Sequence, residues 1–99
     1  MDQIEKIVWT ADGAGSFEDV VEYISRDSVF YAGDFAEKIL LSLEKLKSFP
    51  NMGRVVPEYN DPTLRELIYQ NYRIVYRLRG SVVYIVLITH GARQLPTII

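Results

Sequence analysis

The sequence predicts an α+β fold of order β-α-α-β-β-β, in which a helix hairpin packs on one face of a twisted antiparallel sheet. Three observations carry this. Apolar residues from Phe17 to Leu46 recur with a helical period, those from Leu64 to Thr89 recur with a period of 2, and the Pro- and Gly-bearing run from Pro50 to Thr63 separates the two regimes. At 99 residues the chain has the size of one domain, expected over residues 1–99.

Gln3 to Trp9 reads as a short first strand through Ile4, Ile7, Val8 and Trp9, followed by a Gly-containing stretch from Thr10 to Gly15. Ser16-Phe17-Glu18-Asp19 has the pattern of a helix start, with its acids in the first turn. Phe17, Val20, Val21 and Ile24 then form a stripe that ends near Arg26. Asp27 or Ser28 caps a second helix, whose stripe of Ala32, Phe35, Ala36, Ile39, Leu40, Leu43 and Leu46 runs until Pro50 and Gly53 stop it. So short a break makes the two helices a hairpin. Leu64 to Ile68, Tyr72 to Leu78 and Val82 to Thr89 read as a three-stranded meander.

Composition narrows the function classes. The hydrophobic share of 48% and aromatic share of 12% belong to a globular protein. The absence of cysteine removes disulfides, thiolate nucleophiles and Cys-based metal sites, and suits a reducing compartment. With no basic leader, no apolar run of membrane-spanning length and no ligand cluster, the expectation is a cytoplasmic protein without membrane contact, metal or cofactor. The net charge of −2 hides an asymmetry. Residues 1–63 carry 6 basic and 12 acidic side chains, whereas residues 64–99 carry 5 Arg and one Glu.

Register decides where those arginines point. A two-residue Gly80-Ser81 turn sets Arg79 opposite Val82 and Arg73 opposite Ile88. One face then shows Arg73, Val75, Arg77, Tyr84, Val86, Ile88 and His90, and the more apolar face shows Ile74, Tyr76, Leu78, Val83, Ile85, Leu87 and Thr89. The helices are expected on the second. For the preceding hairpin, a three-residue loop with Asn71 left-handed places Arg65 beside Arg73 and Arg77 on the open face, but turns Glu66 towards the helices. A two-residue Gln70-Asn71 turn sends Arg65 inward instead. The first register is the preferred one.

Phe49-Pro50-Asn51-Met52-Gly53-Arg54, Val56-Pro57-Glu58, Leu64-Arg65-Glu66-Leu67, Tyr72-Arg73-Ile74-Val75-Tyr76-Arg77 and His90-Gly91-Ala92-Arg93, in this order, resemble the RelE/ParE superfamily of bacterial type II toxin-antitoxin systems, the plasmid stabilisation or addiction modules. The likeness extends back through the helix hairpin. It implies a growth-arresting toxin whose open sheet face is the working surface. RelE-type members cut messenger RNA on the ribosome without a metal, and ParE-type members bind and block DNA gyrase. The resemblance also implies a cognate antitoxin whose C-terminal segment covers the toxin, and a toxin–antitoxin hetero-oligomer on operator DNA.

Metal-free RNA cleavage needs a base for the 2′-OH, cations for the phosphorane and an acid for the leaving oxygen. Arg65 and Arg73 match the strand arginines of RNA-cleaving members, His90 lies near their C-terminal catalytic His or Tyr, and Glu58 is the candidate base. Arg77, Tyr84 and Arg93 are the expected substrate contacts. The plainer alternatives are a solvated arginine face, a structural His90, and a Glu58 that pairs with Arg54. A dense lysine set is absent, no Tyr follows Tyr84, and the pI is about 5.3. These departures raise the gyrase reading. A ribosome-dependent endoribonuclease, or mRNA interferase, stays the first expectation and a gyrase inhibitor the second. The third is an inactive member acting only as antitoxin partner or co-repressor.

Overall fold

The structure, a computed structural model, describes residues 3–96; residues 1, 2 and 97–99, the ends of the expected domain, lie outside that part. β1 (Lys6–Trp9) leads into α1 (Ala11–Ser25) and α2 (Val29–Glu44), and a 3-10 turn over Lys45–Lys47 closes the hairpin. β2 (Arg54–Val55), β3 (Leu64–Tyr69), β4 (Tyr72–Arg79) and β5 (Val82–His90) follow. The sheet runs β1-β5-β4-β3-β2, with β1 parallel to β5 and the other pairs antiparallel. The α+β class and the helix hairpin on one sheet face are therefore as expected, while the sheet is mixed and gains β2 inside the run read as a connector. Among the described residues no helix is long and apolar enough to cross a membrane.

α1 begins six residues earlier than the Ser16 signal suggests. Thr10 is the cap: its Oγ1 accepts the Gly13 amide at 2.9 Å and donates to the Ile85 carbonyl at 3.1 Å. The glycine-bearing stretch is thus helical because it is where α1 meets β5. A Cβ on Gly13 would stand 2.0 Å from the Ile85 oxygen. Ser16, inside the helix, accepts the Ile88 amide at 2.9 Å. α2 is capped by Ser28, which accepts the Tyr31 amide at 3.0 Å. Its stripe buries Ala32, Phe35, Ile39 and Leu43, and Leu46 follows in the 3-10 turn, but Leu40 is half exposed. Phe35, Ile39, Leu43 and Leu46 pack with Ile74, Tyr76, Val83, Ile85 and Ile88 into the main core.

Two departures from the expected register rearrange the sheet. Gly80 takes φ +59° and Arg79 faces Val82 as predicted, and Tyr84 faces Arg77, but Val75 pairs with Leu87 and Tyr76 with Ile85. Val86 is therefore an extra residue, a β-bulge, and alternation inverts beyond it. Ile88, expected on the open face, joins the main core; Leu87, expected in that core, packs on the other face. Arg73 faces Thr89 rather than Ile88.

The second departure lies between β3 and β4. Tyr69 pairs with Tyr72 across a two-residue Gln70-Asn71 turn, with Gln70 at φ 52°. The preferred three-residue loop is thus corrected to its alternative: Arg65 faces Tyr76 on the helix side and Glu66 faces Val75 on the other. That other face is not open. Val56, Leu64 and Val75 are buried there beneath Tyr59, Val86, Leu87 and Leu95, and the Tyr59 hydroxyl donates to the Pro96 carbonyl, joining the β2–β3 connection to the C-terminal stretch.

Gly13→Ala is expected to destabilise the chain by about 1–3 kcal/mol, because α1 must lift from β5 to admit the methyl group. Urea unfolding of the two proteins measures this, and an unchanged midpoint would refute the close contact.

Candidate functional site

The charged side chains of the covered sheet face form one chain of ion pairs. Glu66, with 0% side-chain exposure, accepts from Arg73 Nε on one carboxylate oxygen and from Arg54 Nε on the other, each at 2.6 Å. The Arg73 side chain is 8% exposed, and its two terminal nitrogens donate to the two Glu58 oxygens at 2.7 and 2.8 Å. This is a planar fork on a planar carboxylate, the strongest geometry available to an ion pair. All three guanidinium nitrogens of Arg73 are engaged. The pairing with Glu58 and Glu66 raises the pKa of Arg73, while the Arg73 bond holds the Glu58 carboxyl at about 2, from an ordinary 4.5.

The remaining candidates are dispersed. Arg65, expected beside Arg73, instead staples a loop on the helix side: it donates to the Gly53 carbonyl at 2.9 Å and the Pro62 carbonyl at 3.0 Å. Tyr76 completes that staple, accepting the Gly53 amide at 3.0 Å and donating to the Pro50 carbonyl at 2.8 Å. Arg77, on the same face as Arg73, donates to Thr63 Oγ1 at 3.3 Å and lies 3.8 Å from Asp61. Tyr84 is its partner across the strands.

His90, expected beside Arg73 on the open face, faces Tyr72 instead, with ring centroids 5.6 Å apart. The bulge at Val86 is the reason. His90 Nδ1 accepts the Ala92 amide at 3.2 Å. Among the described residues no hydrogen bond joins His90 to Arg65, Arg73, Arg77 or Glu58. It does border, with Arg54, Arg73 and Asn71, a shallow hollow of about 360 Å³ at the end of the sheet. Arg93 is exposed, and its amide donates to the His90 carbonyl at 3.0 Å.

The structure thus brings Arg73 and Glu58 together, but as partners of each other, and sets Arg65 and His90 apart from them. Glu58 does not pair with Arg54. Glu66 and Arg54 are the members of the cluster that the sequence reading left out. The signal for Glu66 was its two-residue alternation with Leu64 and Ile68, once the turn at Gln70-Asn71 is taken as the short one.

The family model described as "ParE toxin of type II toxin-antitoxin system, parDE" matches residues 7–95. Among solved structures, the chain is similar to one described as "Chromosomal ParDE TA system from P. aeruginosa". The TM-score is 0.68 at 19% sequence identity, over 86% of this chain and 94% of that one, a likeness of fold. No curated protein sequence matches the chain.

Two outcomes follow from the ion-pair chain. Arg73→Ala leaves Glu66 buried with one cation fewer and Glu58 unpaired, and is expected to cost about 3–5 kcal/mol in urea unfolding. The Glu58 carboxyl has a folded pKa below its unfolded one, so its stabilising effect is present above about pH 4.5 and is lost as the pH falls through about 2. Unfolding midpoints of the unaltered chain and Glu58→Gln, compared across this range, should therefore differ near neutrality and converge at the acid end. A difference that persists undiminished at pH 2 would overturn the assignment.

Proposed function

The chain belongs to the ParE toxin family of type II toxin-antitoxin systems, and from that premise we propose that it arrests growth by binding DNA gyrase rather than by cutting RNA. The observation that carries the reading is the occupied fork of Arg73. A cation that is to stabilise a phosphorane must have donors to give, and both terminal nitrogens of Arg73 are held by Glu58 while Nε is held by Glu66. A carboxylate with a pKa of about 2 is also a weak base for a ribose hydroxyl at neutral pH. Arg65 and His90, the other residues named for chemistry, belong to different hydrogen-bonded sets.

Binding needs a rigid surface with exposed apolar anchors, and the helix hairpin offers one. Phe30 is 88% exposed and Val29 77%, at the start of α2, and Tyr23, in the last turn of α1, is exposed too. The two helices also carry the acids Glu18, Asp19, Glu22, Asp34 and Glu37, of which Glu22 pairs with Arg26 and Asp34 with Lys38. The target surface for this hairpin is accordingly apolar with a cationic rim. The same reading includes a cognate antitoxin that lays its C-terminal segment over the toxin, and a toxin–antitoxin hetero-oligomer on operator DNA.

Induction of the chain without an antitoxin, with DNA supercoiling and transcript ends followed over the first minutes, tests the proposal. Supercoiling is expected to fail while transcripts stay intact; new ends within codons, with supercoiling unaffected, would falsify it. In the purified reaction, Phe30→Ser is expected to raise the concentration needed for half-inhibition of supercoiling by about tenfold or more. Its thermal unfolding should be unchanged, since the side chain has no core contact to lose. Equal inhibition by the two proteins would remove the hairpin as the contact surface.

A further inference from the structure

Glu58 and Glu66 hold the same guanidinium in different ways. Glu66 has no exposed surface and ties Arg73 to Arg54. Glu58 is 44% exposed, and among the described residues the side chain that donates to its carboxylate is that of Arg73. It sits in a turn anchored on both sides by other groups: Val56 is buried before it, and Tyr59 packs beside the second core and donates to Pro96 after it. The Tyr59 and Asn60 amides both bond the Val56 carbonyl, at 3.1 and 3.0 Å. A rotation of the Glu58 side chain therefore frees the two Arg73 terminal nitrogens and leaves the turn standing.

What such a rotation uncovers is a receptor of defined shape. Glu66 keeps Arg73 aimed outward and neutralises one of the two cations, so the uncovered group of Arg54, Arg73 and Glu66 carries one net positive charge. Two parallel N–H bonds of Arg73 point towards the place that the Glu58 carboxylate fills at 2.7 and 2.8 Å. Beside them, the Arg54 side chain is 59% exposed, and among the described residues its terminal nitrogens donate to no acceptor. The hollow of about 360 Å³ bordered by Arg54, Arg73, Asn71 and His90 opens next to it.

We propose that Arg73 and Arg54 form a carboxylate socket for an acidic stretch of a protein partner, kept filled in the free chain by the chain's own Glu58. The occupant is a carboxylate because the socket already binds one, in a planar two-point geometry that matches a fork of two N–H donors. It is a side chain of a protein because a free carboxylate must compete with a tethered one present at high effective concentration. Only an acid brought in by further contacts displaces Glu58. Arg54 receives a second acid of the same stretch, so the partner carries at least two neighbouring Asp or Glu residues. The exchange conserves charge at the buried end, since one carboxylate leaves as another arrives. The socket stands whether the target is gyrase or not.

The full chain, labelled with nitrogen-15, is titrated with sodium acetate and separately with inorganic phosphate at constant ionic strength, and the arginine Nε–H signals are followed. Glu58→Ala is expected to bind acetate at least about tenfold more tightly than the unaltered chain, whose own carboxylate competes. Glu58→Gln leaves a neutral and weaker occupant, and is expected to fall between the two. It carries the test if the alanine variant does not fold. Adding Arg73→Lys to Glu58→Gln should abolish the gain and thereby place acetate at the fork. No gain in acetate affinity in a folded Glu58 variant overturns the socket, and so does a preference for phosphate over acetate, which would make the site one for tetrahedral anions. Gyrase takes no part in this titration, so its outcome is separate from that of the supercoiling assay.

Discussion

A carboxylate with no exposed surface must be held by cations, and Glu66 is held by two. Removal of either partner would leave a charge in a region from which water is excluded, at a cost of several kcal/mol. Much of the second sheet face follows from this requirement. Arg54 has to reach Glu66 from β2, which fixes that two-residue strand against β3 at the pairing of Arg54 with Glu66. Arg73 has to reach it from β4 and does so through Nε, which leaves its two terminal nitrogens facing away from Glu66. Glu58 then satisfies the outer side of Arg73. The apolar cover of Val56 and Tyr59 grows on the same connection, is joined by Leu95 of the C-terminal stretch, and keeps the neighbouring Val75 dry.

The helical half of the fold was legible in the sequence because its signals are local and repeated. Of the seven residues in the α2 stripe, Ala32, Phe35, Ile39, Leu43 and Leu46 are buried, Ala36 is partly buried and Leu40 is half exposed. The sheet was legible as three strands and a Gly80-Ser81 turn, but not in register beyond Val86. A bulge is one additional residue in a run that is apolar on both faces, so the composition of Val82 to Thr89 is the same with or without it. The turn at Gln70-Asn71 was misread for a related reason. Asn is the better left-handed residue, yet Gln70 takes that conformation, because the shorter turn puts Glu66 beside Arg73 and Arg54 rather than against the helices. A long-range charge pairing decided a local choice.

These two errors account for the way the candidate site changed. Each shifts alternation by one residue, and a shift of one exchanges the faces of a strand. Arg65 passed to the helix side through the short Gln70-Asn71 turn, and His90 passed to the side of Tyr72 through the bulge at Val86. Arg73, on the strand between them, kept its face. A constellation assembled from alternation across three strands therefore dissolved, although each residue was placed on the right strand. What joined Arg73 was Glu66 of β3, Arg54 of β2 and Glu58 of the connection between them, the last in a run where no periodicity exists to announce it.

Charge completes the comparison between the two faces. The helix hairpin carries exposed apolar side chains and many acids, whereas two of the five arginines of the last third meet carboxylates of the earlier part, Arg73 on Glu58 and Arg77 near Asp61, and Arg65 is held by loop carbonyls. A polyanion such as RNA gains affinity by meeting unpaired cations and releasing their counterions. An arginine already bonded to a carboxylate has few counterions to release, and must break that pair before it binds phosphate. Three of the five arginines that look in sequence like a nucleic-acid surface, Arg65, Arg73 and Arg77, are therefore engaged within the folded chain. Recognition by this protein then depends on shape, exposed apolar anchors and the exchange of one carboxylate for another.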